Sequence, residues 1–280
     1  MFCVTDSGRK LQHREGSKMI STKNLTKYFG SFCAVDNLTI HVQPGELYCF
    51  LGPNGAGKTT TIKMLANLMH PTEGSIKIAD RDFKTNAMAA KACLGYIPDM
   101  PYLYERLTAA EFMDFVGDLY RIEDSKKADK TEEYLDLFGL QDYRNSLIKD
   151  FSHGMRQRLI YAATFLHEPS VLLIDEPLIA LDPYTIRMIK DLLISKAREG
   201  MAIFVTTHIL ALAQDIADRI GIISNGRLIA EGTYSELLKE YGGSNLEDIF
   251  INIATKKFVL PVDPFRSAGL APAPDLPLRK

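Results

Sequence analysis

Two hydrophobic rhythms divide this chain. From residue 20 to residue 42, short apolar segments alternate with turn residues: Tyr28-Phe29-Gly30, Cys33-Ala34-Val35, then Leu38-Thr39-Ile40-His41-Val42, closed by a Pro44-Gly45 turn. The same alternation returns in Ser75-Ile76-Lys77-Ile78. A period of two marks strands with one face buried, so these segments predict a small antiparallel sheet. Elsewhere the apolar runs are unbroken, as in residues 46–51, 171–174, 202–206 and 221–223. Such runs are the mark of strands covered on both faces. Helical spacing stands between them in residues 60–69, 183–197 and 209–219, with Ile62, Leu65, Ala66 and Met69 on one face of the first. The alternation predicts βαβ units and an α/β core.

The middle of the chain changes character. Thr108 and Glu111 form a capping-box pattern that opens a helix through Tyr120, with Phe112, Phe115, Val116 and Leu119 on one face. Residues 124–130 read as a charged connector, and 132–140 as a second helix carrying Tyr134, Leu135 and Phe138. Residues near 100–165 are therefore expected to be a mostly helical insertion. At the ends, residues 1–18 are polar and aperiodic, a flexible extension ahead of a folded part beginning at Met19. Residues 252–280 hold Pro261, Pro264, Pro272, Pro274 and Pro277 and are expected to be a loosely ordered tail.

Composition narrows the classes. The formal net charge is −2 with 24% charged and 46% apolar residues, so no basic excess points to nucleic acid. No apolar run approaches the ~20 residues that cross a bilayer, so a membrane link is expected to run through a partner. The N-terminus lacks the apolar core of a secretory signal. Cys3, Cys33, Cys49 and Cys93 have no metal-site or redox spacing, and a reducing, cytosolic setting is expected.

The chemistry is concentrated in Gly52-Pro53-Asn54-Gly55-Ala56-Gly57-Lys58-Thr59-Thr60, which fits the phosphate-loop pattern G-x-x-x-x-G-K-[ST]. It lies between a predicted strand and a predicted helix, the context the motif requires. Glycines let backbone N–H groups converge on phosphate oxygens, and the helix N-terminus adds positive potential. Lys58 is placed to reach the β- and γ-phosphates, and the Thr59 hydroxyl to ligate Mg²⁺. The run Val171-Leu172-Leu173-Ile174 ends in Asp175-Glu176, two carboxylates at the end of a buried strand, where α/β folds bind ligands. Asp175 suits a Mg²⁺ ion, and Glu176 is a candidate general base for an attacking water.

These motifs together resemble the ATP-binding subunit of an ATP-binding cassette (ABC) transporter, over about residues 19–251. Phe151-Ser152-His153-Gly154-Met155-Arg156-Gln157-Arg158 resembles the family's signature segment, Leu181-Asp182-Pro183 its D-loop, and Thr206-Thr207-His208 its switch-histidine loop. Tyr28 matches the aromatic that stacks on adenine. Two departures stand out: Asp99 where the Q-loop usually has Gln, and His153 and Met155 in place of signature Gly and Gln. The resemblance implies a P-loop NTPase (RecA-like) α/β core with an antiparallel β-subdomain and an inserted α-helical subdomain. It implies an ATPase that binds ATP and Mg²⁺, the metal held by Thr59, Asp175 and Asp99. Catalysis would fall to Glu176, His208, Lys58 and Asp99. Ser152 and Gly154 would act on the nucleotide of a second nucleotide-binding subunit, a homodimer being expected, and Asp182 would lie across the seam. An integral membrane permease is the implied partner, placing the chain on the inner face of the cell membrane, with export the expected direction. The other reading is a soluble ABC ATPase serving a non-transport partner such as a cluster-assembly scaffold. A P-loop kinase or GTPase leaves the signature helix unexplained, and no Asn-Lys-x-Asp motif is present.

Overall fold

The computed structural model describes residues 18–100, 102–176 and 181–257. The expected extension before residue 18, Pro101, and the tail after residue 257 lie outside the described residues.

The chain begins with β1 (Ile20–Phe29), β2 (Phe32–Leu38) and β3 (His41–Val42), then enters the core strand β4 (Leu47–Leu51) and the helix α1 (Lys58–Leu65). The strands β5 (Glu73–Ile78) and β6 (Arg81–Asp82), the helix α2 (Phe83–Ala92) and the strand β7 (Leu94–Ile97) follow. The helical insertion comprises α3 (Ala109–Leu119), α4 (Asp124–Leu137) and α5 (His153–Phe165). The core resumes with β8 (Val171–Asp175), α6 (Pro183–Arg198), β9 (Ala202–Thr207), α7 (Leu210–Ile216) and β10 (Arg219–Ser224). It ends with β11 (Arg227–Gly232), α8 (Tyr234–Tyr241) and α9 (Leu246–Lys257).

Two sheets result. The smaller is antiparallel, in the order β2-β1-β5-β6, with β3 also on β1. The larger is six-stranded, β11-β10-β4-β9-β8-β7, parallel except for β11. Every residue of β4, β8 and β9 is buried, which is why their sequences carry no alternation. The pleat still sorts them. Leu47, Cys49 and Leu51 pack with Ile174, Ile203 and Val205 on the side of the helical insertion and of α6, α7 and α9. Tyr48 and Phe50 pack with Leu173 and Phe204 toward α1 and the antiparallel sheet. Tyr48 and Phe204 stack there at 5.4 Å.

Helix starts follow the polar punctuation. Thr108 Oγ1 accepts from Glu111 N at 3.2 Å while Glu111 Oε2 accepts from Thr108 N at 2.7 Å, the capping box expected for α3. Ser152 caps α5, Asp182 caps α6 with Pro183 in its first turn, and Thr233 with Glu236 closes a second capping box on α8. Caps of this kind each contribute on the order of 1 kcal/mol.

Several expectations change. The charged stretch 124–130 is the first half of α4, not a connector. It folds because Lys127 lays its stem along Gly117 and brings its ammonium within 2.6 Å of Asp114 and Asp118 and 3.1 Å of Asp124. A Cβ on Gly117 would sit 2.3 Å from Lys127 Cδ, so only glycine leaves room. On α3 the buried face is Ala109, Phe112, Met113 and Gly117, whereas Phe115 and Leu119 are exposed, Leu119 at 64%. The first helix ends at Leu65 rather than 69, where Asn67 turns left-handed at φ 54°. The seventh ends at Ile216 because β10 starts at Arg219. The folded part continues past residue 251, since α9 runs to Lys257 with Ile249 and Ile253 buried.

Candidate nucleotide site

The site assembles where β4, β8 and β9 end beside the start of α1. Residue 57 precedes α1 with φ 109°, and a Cβ there would lie 2.6 Å from Ala34 O. At Gly52 a Cβ would lie 2.5 Å from Ile223 O. These two glycines let the loop pass tightly between β2 and β10. Thr61 Oγ1 donates to Gly57 O at 2.9 Å, and Ala56 packs inward, almost fully buried.

Lys58 is buried and folds back over its own loop, donating to Gly52 O at 2.7 Å and Pro53 O at 3.2 Å. Its ammonium lies 3.9 Å from Glu176 Oε1. Burial pulls its pKa below the ordinary lysine value, and the nearby Glu176 and Asp175 carboxylates partly offset this. An incoming polyanion restores what burial takes away.

Asp175 closes β8 with 1% of its surface exposed. Thr206 Oγ1 of the neighbouring β9 donates to Oδ1, whereas Oδ2 is buried with no hydrogen-bond partner. Desolvation raises its pKa above the usual carboxylate value against the Thr206 hydrogen bond, and Asp99 and Glu176 add like-charge repulsion. A buried, half-satisfied carboxylate of this kind wants a cation. Among the described residues no cluster of three or more His, Cys, Asp or Glu offers a closed metal cage. The Asp175 carboxylate, with Thr59 lining the adjoining cleft, is an oxygen donor of the kind that would hold Mg²⁺.

Glu176 takes φ 52°, a strained value for a residue with a side chain, and its N–H donates to Thr206 O at 3.0 Å. The twist sends its carboxylate toward β9: Oε1 lies 2.9 Å from His208 Nδ1, and Oε2 accepts from Thr207 Oγ1 at 3.2 Å. Glu176 and His208 line one cleft of ≈ 540 Å³ with Asn54, Gly55, Gly57, Lys58, Thr59, Thr60 and Asp99. Asp99 is exposed there, its Oδ1 accepting from Met100 N at 2.8 Å.

The far end of the cleft is formed by Phe29, Phe32 and Ala34. Tyr28 does not line it. Neighbouring side chains of a strand face opposite ways, so Phe29, paired with Phe32 across β1 and β2, takes the cleft side, and Tyr28, paired with Cys33, takes the other. Phe29 is the aromatic available to a base. Thr206 and Thr207, expected only as part of the switch-histidine loop, also hold the two carboxylates, Thr206 at Asp175 and Thr207 at Glu176. The signal for this role was two hydroxyls ending an otherwise apolar buried run.

Ser152 and Gly154 do not reach this cleft. Ser152 is exposed, its Oγ accepting from Met155 N at 3.2 Å, and His153 beside it is exposed as well. Asp182 accepts from Thr185 N at 3.0 Å and Thr185 Oγ1 at 2.6 Å, which holds its carboxyl below the usual range.

A glycine loop on a helix start, a basic side chain over it and an acidic strand end against a histidine define a phosphate-loop nucleotide hydrolase. A family profile described as ABC transporter matches residues 35–179, and this chain belongs to that family. It is 40% identical over 224 residues, 80% of this chain and 72% of the relative, to the bacitracin transport ATP-binding protein BcrA of Bacillus licheniformis. It is 36% identical over 230 residues, 82% and 70% of the two chains, to the daunorubicin/doxorubicin resistance ATP-binding protein DrrA of Streptomyces peucetius. Among solved structures, an ATP-binding subunit of an ABC transporter superposes with a TM-score of 0.81 at 31% identity, covering 84% of this chain and 99% of that one. A dimeric ATP-binding cassette in a post-hydrolysis state with ADP and Pi superposes at 0.70 with 26% identity, covering 77% and 98%. The chain is therefore an ATP-binding and ATP-hydrolysing subunit of an ABC transporter. Subunits of this kind dimerise and work with membrane permeases. Among the described residues no helix is long and apolar enough to cross a membrane.

Proposed function

We propose that two copies of this chain close around two ATP molecules, each site built from the cleft of one copy and the signature helix of the other. The observation that carries the reading is the separation of the parts. Lys58, Thr59, Glu176 and His208 line one cleft with the Asp175 carboxylate close to Lys58, while Ser152 stands exposed and Gly154 half-buried, neither of them lining it. A capped helix start offers a hydroxyl, free backbone N–H groups and the positive end of a helix dipole, which suits a γ-phosphate.

In this reading the amides of residues 52–60 cradle the phosphates, and Lys58 exchanges its two carbonyl partners for phosphate oxygens. Phe29 stacks on the base. Thr59 and Asp175, with an oxygen from Asp99, would hold Mg²⁺, and the ion would supply positive charge against the phosphate oxygens. Glu176 takes a proton from a water whose oxygen attacks the γ-phosphorus, the bond to the β–γ bridging oxygen breaks, and ADP and phosphate leave. His208, held by Glu176, donates to the γ-phosphate. Catalysis here is positioning and charge complementarity. Asp182 lies at the seam between copies.

The output face is the groove of ≈ 340 Å³ between core and helical insertion, lined by Leu68, Tyr96, Val116, Leu119, Tyr120 and His167 among others. Met100, Tyr102 and Tyr104, just after Asp99, add exposed apolar surface. An apolar surface of this extent on a nucleotide-sensing loop suits a permease on the inner face of the membrane. The relatives named for bacitracin transport and for daunorubicin/doxorubicin resistance favour export. Extracted in detergent, the chain is expected to co-purify with a polytopic membrane protein. Recovery with soluble partners alone would move the reading to the non-transport class.

A further inference from the structure

The loop after Asp99 and the start of α5 are joined by a side chain that the proposed reaction does not use. The Arg156 guanidinium donates in three directions: Nε to Phe151 O at 3.2 Å, Nη2 to Lys149 O at 2.9 Å, and Nη1 to Glu105 Oε1 at 2.7 Å. The backbone repeats the junction. Lys149 N donates to Glu105 O at 3.1 Å, Ile148 N to Leu107 O at 2.9 Å, and Thr108 bridges Leu147 in antiparallel fashion. Residues 105–108 and 147–151 thus form one stitched block that ends directly before Ser152. On its outer side Tyr104, more than half exposed, sets its ring edge against Phe115 at 5.2 Å.

We propose that Arg156 is a positioning residue that ties the start of α5, and with it Ser152 and Gly154, to the Glu105 segment, so that displacement at the Tyr104 surface is carried to the signature helix. This rests on the reading of Ser152 and Gly154 as contacts to the second copy's nucleotide. Simple charge attraction does not carry the effect: Glu105 is 58% exposed and Arg156 26%, and ion pairs this open contribute little. The planar fork does. One rigid guanidinium fixes three acceptors on two separate segments, which neither a lysine ammonium nor a neutral side chain can reproduce. Two of the three bonds hold the carbonyls of Lys149 and Phe151 toward Arg156, which sets the direction in which Ser152 leaves the turn.

The test uses the full chain and the variants Arg156→Lys, Glu105→Ala and the double variant. Three readouts are taken: nucleotide affinity of the monomer, kcat for ATP hydrolysis, and the ATP-dependent dimer fraction on a Glu176→Gln background. The intrachain cleft contains neither residue, so monomer affinity stays within about twofold of wild type. Hydrolysis by Arg156→Lys falls roughly tenfold in kcat with KM little changed, the dimer fraction falls with it, and Glu105→Ala shows a smaller loss in the same sense. The double variant is no worse than Arg156→Lys, because the two residues act through one contact. Wild-type kcat in Arg156→Lys, or additive losses in the double variant, overturns the inference. So does a parallel loss of nucleotide affinity. Glu105→Ala removes only the exposed partner and keeps the measurement available if Arg156→Lys lowers Tm. Should Glu176→Gln with Arg156 and Glu105 intact form no ATP-dependent dimer, the reading beneath has failed instead, and this control shows which.

Discussion

Glu176→Gln binds ATP, leaves it almost intact and accumulates as a dimer. The amide keeps the size and the hydrogen-bonding reach of the carboxylate, so the contacts with Thr207 and His208 persist in modified form. What it loses is the ability to take a proton from water. General-base catalysis contributes about 10²–10⁴-fold, and the turnover of this variant is expected to fall by that factor while nucleotide affinity holds. Because hydrolysis is what releases the closed pair, the ATP-bound dimer persists and is read by light scattering. Wild-type turnover would remove Glu176 from the role.

Asp175→Asn behaves in a different and more diagnostic way. Its hydrolysis is expected to drop by about two orders of magnitude or more, since an amide puts a donor where the cation needs an oxygen. In the absence of nucleotide and metal, however, the variant melts higher than wild type near neutral pH. The sign follows from the raised pKa of the buried carboxyl. A carboxyl whose folded-state pKa lies above its unfolded value of about 3.9 binds its proton more tightly when folded. As pH rises through that interval the folded state loses ground relative to the unfolded one, and the deficit stays at neutral pH. Asn carries no such deficit. Adding Mg²⁺ and a non-hydrolysable ATP analogue stabilises the wild type and narrows or reverses the gap. Melting curves across pH 4–8 with and without ligand check both parts, and a lower Tm for Asp175→Asn throughout would contradict the account.

Most of the fold could be read directly, because in the core strands local pattern and tertiary context agree. The unbroken runs that became β4, β8 and β9 are apolar on both faces, and both faces are covered. The capping residues Thr108, Ser152 and Asp182 begin helices where short polar side chains satisfy otherwise free N–H groups. Failure came where a contact distant in sequence decided the outcome. The lysine-rich start of α4 reads as solvated until Asp114 and Asp118 of α3 are brought beside Lys127. Phe115 and Leu119 fit a helical stripe, but the insertion packs its core on Met113 and Gly117 instead, leaving Leu119 on the groove and Phe115 against Tyr104.

The site shows the same division. Lys58, Thr59, Asp175 and Glu176 were legible from the phosphate-loop pattern and the acidic strand end, and His208 from the family resemblance; Lys58, Thr59, Glu176 and His208 line one cleft, with Asp175 close to Lys58. Tyr28 was chosen over its neighbour Phe29, and only the register of β1 against β2 decides which of two adjacent aromatics faces the phosphate loop. The contacts of Thr206 and Thr207 with the two carboxylates depend on β8 and β9 lying side by side, with Asp175 paired to Thr206. The Arg156 clamp has no motif of its own; it depends on a turn and a loop about fifty positions apart.

The central claim is that each chain carries half of two ATP sites. Subunit mixing tests it most directly. Lys58→Ala lacks the phosphate-binding half, and Gly154→Asp places a negative charge where the partner's γ-phosphate should lie, so each alone is expected to be nearly inactive. In an equal mixture about half the dimers are mixed, and each of these has one complete site, Lys58 from one copy and Ser152 and Gly154 from the other. ATPase activity recovering toward about a quarter of the wild-type level is the predicted result, each mixed dimer turning over at its one intact site. Full activity of Gly154→Asp alone, or a mixture no more active than its components, would contradict a site shared between copies.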